Sequence, residues 1–228
     1  MVKAQWSNYS LPQLSHDQST TIAEEIYNSL KERRSCRSFS SAEVSKRVIE
    51  LAIMAAGTAP SGANHQPWHF AVVSNHDTKR LIREAAEEEE KKFYGFKDDQ
   101  PRANKEWLEA LAPLGTNHEK EFLEQAPHLI IVFSQRKGGI EEDGKRQNYY
   151  VTESVGIACG MLLTTLHMAG LATLTHTPSP MGFLRQICGR PNFERPMMII
   201  AVGRPSDDAK IPTHAKRKKS LKQITSWL

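Results

Sequence analysis

Residues 128–134, HLIIVFS, are an uninterrupted apolar run bounded by Pro127 and by a charged loop containing Gly138, Gly139 and Gly144. The run is continuous and of strand length. Three other stretches read as strands: 68–74 (WHFAVVS), 171–177 (LATLTHT) and 197–202 (MMIIAV). The first is dense in aromatic and β-branched residues.

Around these strands the spacing turns helical. Ile22, Ile26 and Leu30 recur on one side of a helix starting at Thr21, with Thr20 or Thr21 as cap and Glu24 and Glu25 in the first turn. Val44, Val48, Leu51, Ala52 and Ala55 mark a second helix over 41–56, ended by Gly57. Residues 77–93 read as a long polar helix, and 105–123 as another, broken near Pro113-Leu114-Gly115. The most apolar helix spans 148–169, with Val155, Ala158, Cys159, Leu162 and Leu166 at helical intervals, and a short one lies around 182–188. Residues 1–20 are polar and form an N-terminal arm; residues 21–228 form one domain. Helices around four separated strands, without one-for-one alternation, predict an α+β sandwich and not a doubly wound sheet.

At 228 residues the chain suits one domain with a sizeable core. Its 39% hydrophobic and 25% charged content is that of an ordinary globular protein. The net charge of +4 permits a phosphate-bearing ligand without requiring one. Cys36, Cys159 and Cys188 lie far apart with no CxxC pair, which predicts reduced thiols and a cytoplasmic setting. The first twenty residues have no apolar signal region, and no window approaches the roughly 20 apolar residues of a membrane span, so a soluble protein is expected.

Several clusters bear on chemistry. Arg33, Arg34, Ser35 and Arg37 are either a solvated basic helix end or a phosphate clamp of paired guanidinium donors and a hydroxyl. Arg217, inside a basic run, is a second phosphate partner or a surface charge. That run lacks the interleaved aromatics and recognisable module of nucleic-acid binding. The turn Pro60-Ser61-Gly62-Ala63 is an ordinary helix-to-strand connection, or one small enough to admit a flat ligand close to backbone N–H groups; it has neither Walker nor GxGxxG spacing. Glu87 to Glu90 read as a solvated helix face, yet Glu90 and Tyr94 stand four residues apart and share a side. Lys120 completes a plus-and-minus pair with them only if the fold brings it near. The nine histidines form no HExxH pair, so no metal is expected. Ser61 lacks the GxSxG context of a nucleophile, and Cys36 is read as a small packing residue.

RRSCRSF at 33–39, GTAPSGANHQPWHFAVVS at 57–74, the helix and strand at 149–178, and MMIIAVGRP at 197–205 together resemble the flavin-dependent nitroreductase superfamily, over about 24–223. The wording TAPSGA…QPW, with an insertion carrying EEEEKKFY and LGTNHEKEFLEQAP, resembles its halotyrosine-dehalogenating branch, and 84–123 is identified as that branch's active-site lid. The resemblance implies a sandwich with a mainly antiparallel sheet, a domain-swapped homodimer, and two FMN sites at its interface. It places Arg33, Arg34, Ser35, Cys36 and Arg37 with Arg217 on the FMN phosphate and ribityl chain, and Ser61 and Gly62 along the flavin. Thr175, His176 and Thr177 fall at the edge of the isoalloxazine. The Thr177 hydroxyl on flavin N5 is the implied catalytic contact, favouring single-electron steps, and His176 stands where the family commonly has threonine. Glu90, Tyr94 and Lys120 match the residues that hold the ammonium and carboxylate of a halotyrosine, and the Ala63 N–H matches the phenolate contact. NAD(P)H or a reductase is the implied electron source. The alternatives are a general FMN nitroreductase or quinone reductase, indifferent to zwitterionic tyrosines, and a non-enzymatic flavin or nucleotide sensor.

Overall fold

The computed structural model describes residues 4–97, 99–141 and 144–228. Residues 1–3 of the predicted arm, 98 of the predicted lid and 142–143 of the glycine-containing loop lie outside the described residues. The chain divides into two compact units, 1–33 and 34–228.

In the first unit, α1 (His16–Leu30) begins five residues earlier than the apolar spacing predicts. The reason is a capping box: the Gln18 N–H donates to Ser15 Oγ at 3.2 Å and the Ser15 N–H donates to Gln18 Oε1 at 2.9 Å. No residue of α1 is buried, and Trp6, Tyr9 and Tyr27 are exposed.

The second unit is built on a four-stranded antiparallel sheet of β1 (Trp68–Val73), β2 (His128–Gln135), β3 (Ala172–His176) and β4 (Glu194–Gly203), in the order β1-β2-β4-β3. The period of two along β2 sorts its side chains. Ile130 and Val132, with Ile200 and Val202 of β4, pack against α2 (Lys46–Gly57) and α6 (Val151–Met168). Leu129, Ile131 and Phe133, with Ile199 and Ala201, pack on the other face against α3 (His76–Tyr94), α5 (Phe122–Gln125) and α7 (Gly182–Ile187), with α4 (Lys105–Leu111) between α3 and α5 in the chain. Both faces of β2 are thus covered, which is why its sequence shows no polar alternation.

Where the elements depart from the sequence pattern, a tertiary contact explains it. Helix α2 starts at Lys46, not at 41, and Val44 is buried outside the helix with its carbonyl accepting from His128 Nε2 at 3.1 Å. Strand β4 begins three residues before the apolar run and contains Pro196, opposite Phe133 of β2. Pairing with β3 starts only at Ile199, so the proline sits where one side of β4 is free and no ladder donor is lost. Helix α3 is capped by Asn75, whose side chain accepts from Thr78 N–H at 2.9 Å, and ends at Gly95, whose φ of 73° closes the last turn.

Among the described residues α6 is the one helix long and apolar enough to cross a membrane by length and composition, which the sequence reading had not anticipated. Here it packs against α2 and the sheet, burying Val155, Ala158, Cys159, Leu162 and Leu166.

Candidate active site

The end of β3 sets the position of the site. Ser35 forms a parallel bridge to Thr173, the Cys36 N–H donates to the Thr173 carbonyl at 3.0 Å, and the Cys36 thiol donates to the Ser38 carbonyl at 3.1 Å. The arginine-rich stretch therefore runs beside β3 and delivers Arg37 to the wall of a cavity of about 510 Å³. Glu90, Tyr94, Lys120, Thr175, His176 and Thr177 share that wall. Alternation along β3 separates the last three. Thr175 and Thr177 are exposed, whereas His176 follows Leu174 towards α5 and sets its ring edge-on to Phe122, centroids 5.7 Å apart.

The charged residues that the sequence left unconnected meet here. Helix α3 contributes Glu90 and the segment before α5 contributes Lys120; Lys120 Nζ lies 3.0 Å from Glu90 Oε2, with side chains 5% and 11% exposed. The Lys120 ammonium also donates to the Asn117 carbonyl. Tyr94, one turn on from Glu90, shares a 2.8 Å hydrogen bond with the Thr116 hydroxyl. Burial pushes the Lys120 ammonium and the Arg37 guanidinium below their ordinary pKa values and the Tyr94 phenol above its own. Burial, reinforced by the Lys120 and Arg37 charges, drops His176 to about 3, so its imidazole is neutral near pH 7.

Sequence reasoning missed Glu87, read as part of a solvated acidic face. Its carboxylate accepts from the Lys120 backbone N–H at 2.8 Å and lies 3.5 Å from Arg83, which in turn reaches Glu124 of α5 at 2.6 Å. Lys79, buried at the start of α3, donates to the carbonyls of Glu124 and Ala126 at 2.8 and 2.7 Å. These bonds hold the Lys120 segment in register with α3. The usable signal was the spacing 83, 87, 90, 94, one stripe of a helix.

Other predicted residues lie elsewhere. Ser61, Gly62 and Ala63 do not line this cavity. The Gln66 N–H donates to Ser61 Oγ at 2.9 Å and the Gly62 N–H to Ser154 Oγ at 3.3 Å. A Cβ on Gly62 would stand 2.6 Å from the Tyr149 carbonyl oxygen, so glycine is required by close approach. Ala63, Asn64 and Gln66 hold φ of 51°, 55° and 50°, left-handed values that cost non-glycine residues energy. Arg217 is exposed and absent from the cavity wall, Arg34 is half-buried, and Arg33 ends the N-terminal unit. Burial raises the thiols of Cys159 and Cys188 to about 11, which leaves them protonated and inert near neutrality.

A model described as the nitroreductase family matches residues 30–204. The chain is 45% identical over 216 residues to an iodotyrosine deiodinase of Haliscomenobacter hydrossis, covering 95% of both proteins. The chain belongs to the iodotyrosine deiodinase branch of the nitroreductase family. Iodotyrosine deiodinase 1 of Mus musculus is 45% identical over 203 residues, 89% of this chain and 69% of that one. A crystal structure of oxidized iodotyrosine deiodinase bound to FMN and 3-iodo-L-tyrosine matches at a TM-score of 0.72 and 30% identity, covering 89% of this chain and all of that one. The four-stranded antiparallel α+β fold is thus that of the nitroreductase family.

Proposed function

We propose that this protein is an FMN-dependent oxidoreductase that removes halide reductively from halotyrosines, converting mono- and di-iodotyrosine to tyrosine and iodide. The observation that carries the reading is the buried Glu90–Lys120 pair beside Tyr94 on the wall of one cavity. A zwitterionic amino acid fits such a pair by exchange. Its ammonium takes the place of Lys120 on Glu90, its carboxylate takes the place of Glu90 on Lys120, and no charge is left desolvated and alone. Tyr94 adds a phenol able to donate to the same carboxylate.

The residues present fit FMN. Arg37 on the cavity wall offers guanidinium donors for a phosphate, and the reading adds Arg34, Ser35 and Arg217, which do not line it. The Thr175 and Thr177 hydroxyls, exposed at the end of β3, would hold a flavin edge, with Thr177 supplying the hydroxyl donor to its N5. Replacing an aryl carbon–halogen bond with carbon–hydrogen takes two electrons and one proton, and FMN is the group that supplies those electrons when bound. NAD(P)H or a reductase restores them. The protein's part is orientation: Glu90, Tyr94 and Lys120 hold the amino-acid end, and the Ala63 N–H receives the phenolate.

Because Ser61, Gly62 and Ala63 do not line this cavity, the reading requires them from a second copy, which makes the enzyme a domain-swapped homodimer. The single chain supports this by the apolar surface it leaves bare: Leu51 and Met54 on α2, Ile157 on α6, and Tyr149 and Tyr150 before it. Residues 84–123 act as the lid.

The test is titration of FMN fluorescence in the loaded protein with 3-iodotyrosine, tyrosine and 2-iodophenol. Strong quenching by 3-iodotyrosine and weak quenching by 2-iodophenol is expected. Equal response to both would exclude recognition of the amino-acid end.

A further inference from the structure

Glu90 presents its two oxygens to different partners. Oε2 takes the Lys120 ammonium at 3.0 Å. Oε1 faces His176 Nε2 at 4.0 Å, beyond hydrogen-bond length, and that nitrogen is buried without a hydrogen-bond partner among the described residues. The His176 side chain is 11% exposed and its ring is braced edge-on by Phe122, so it has little freedom to seek water. A buried imidazole nitrogen without a partner is costly unless another state of the site satisfies it.

We propose that His176 is a positioning residue for Glu90: when a zwitterionic ligand draws Lys120 off Oε2, the carboxylate moves the short distance to His176, whose Nε2–H donates to Oε1 and fixes the oxygen left for the ligand's ammonium. The proposal rests on the reading of the cavity given above. It follows from what each partner needs. An ammonium-binding carboxylate held by a second cation would lose attraction for its ligand; held by a neutral donor, it keeps its full charge. The groups facing the imidazole are Glu90 and Tyr94 from α3, Lys120 from the segment before α5, and Arg37 from the stretch beside β3. Burial, Lys120 and Arg37 keep the ring uncharged well below neutral pH, and the carboxylate opposite Nε2 favours the tautomer with its proton there.

The test compares His176→Leu, which fills similar volume without a donor, with His176→Gln, whose amide N–H reaches nearly as far as Nε2. Each FMN-loaded variant is titrated by flavin fluorescence with 3-iodotyrosine and with 2-iodophenol, and the ratio of the two dissociation constants is the readout. Loss of one hydrogen bond to a charged group predicts a ratio for His176→Leu reduced about tenfold, with 2-iodophenol unchanged and His176→Gln recovering most of the loss. Should the leucine variant retain too little flavin, His176→Thr, suited to a strand but too short to reach Glu90, gives the same ratio. An unchanged ratio in the variants, or no recovery with glutamine, overturns the role of His176 alone. A wild-type ratio near one overturns the cavity reading, and this proposal with it.

Discussion

On the cavity wall Glu90 and Lys120 meet as a buried ion pair, with Glu87, Arg83 and Lys79 holding their segments together. On the turn at 61–66, Ala63 and Asn64 keep left-handed dihedrals with their side chains exposed, and Gly62 presses against the Tyr149 carbonyl. The first region is organised by charge, and its ion pair is completed within one chain. The second is organised by backbone shape, and its strain has no return until something approaches it. In the function proposed above, a site assembled from the two takes the amino-acid clamp from one chain and the cradle for the ring from a second copy.

The largest effect is expected at the ion pair. Lys120→Ala leaves Glu90 desolvated without a countercharge, and should lower stability to chemical denaturation by about 3 kcal/mol. A loss below roughly 1 kcal/mol is the value for an exposed pair and would mean that this wall is not desolvated.

Acid tests the same wall through His176. Its folded-state pKa of about 3 lies below the ordinary 6.5, so the unfolded chain binds the proton first. The contribution is intact above 6.5 and is lost as pH falls towards 3. Between pH 7 and 5 the wild type should lose about 2 kcal/mol more than His176→Leu. Parallel denaturation curves for the two proteins would place the imidazole in water.

Gly62→Ala probes the shape-built region. The added methyl meets the Tyr149 carbonyl at 2.6 Å, and the turn should pay about 1.5 kcal/mol while FMN retention and dimer formation weaken together. Retained flavin in a monomeric Gly62→Ala variant would separate the turn from the site. The smallest effect is expected at Glu87→Gln, where a charge-assisted bond to the Lys120 N–H becomes a neutral one at a cost of about 1 kcal/mol. Affinity for 3-iodotyrosine should fall a few-fold, with none lost for 2-iodophenol.

Much of this was legible in the sequence where the cause is local. The apolar run at 128–134 announced a strand, and the helical spacing of Glu90 and Tyr94 placed both on one side of α3. Helix starts were misread where the deciding contact is a hydrogen bond that periodicity does not show: Ser15 with Gln18, and Val44 with His128. The pairing of Lys120 with Glu90 spans thirty residues and two elements, so only the fold decides it. Glu87 was hidden by its acidic neighbours, because a charge run looks alike whether one member turns inward or none does. His176 stood in the quoted stretch, but its separation from Thr175 and Thr177 depends on β3 keeping its alternation up to the last residue.

In the proposed function the buried Glu90–Lys120 pair selects an aromatic amino acid over the bare aromatic ring. Iodide release under anaerobic reduction with dithionite, measured on FMN-loaded protein supplied with 3-iodotyrosine or with 2-iodophenol, tests it directly. The account predicts release from the amino acid on the order of a hundredfold faster at equal concentration, the return on holding the substrate at both ends. Equal rates from the two compounds would contradict it.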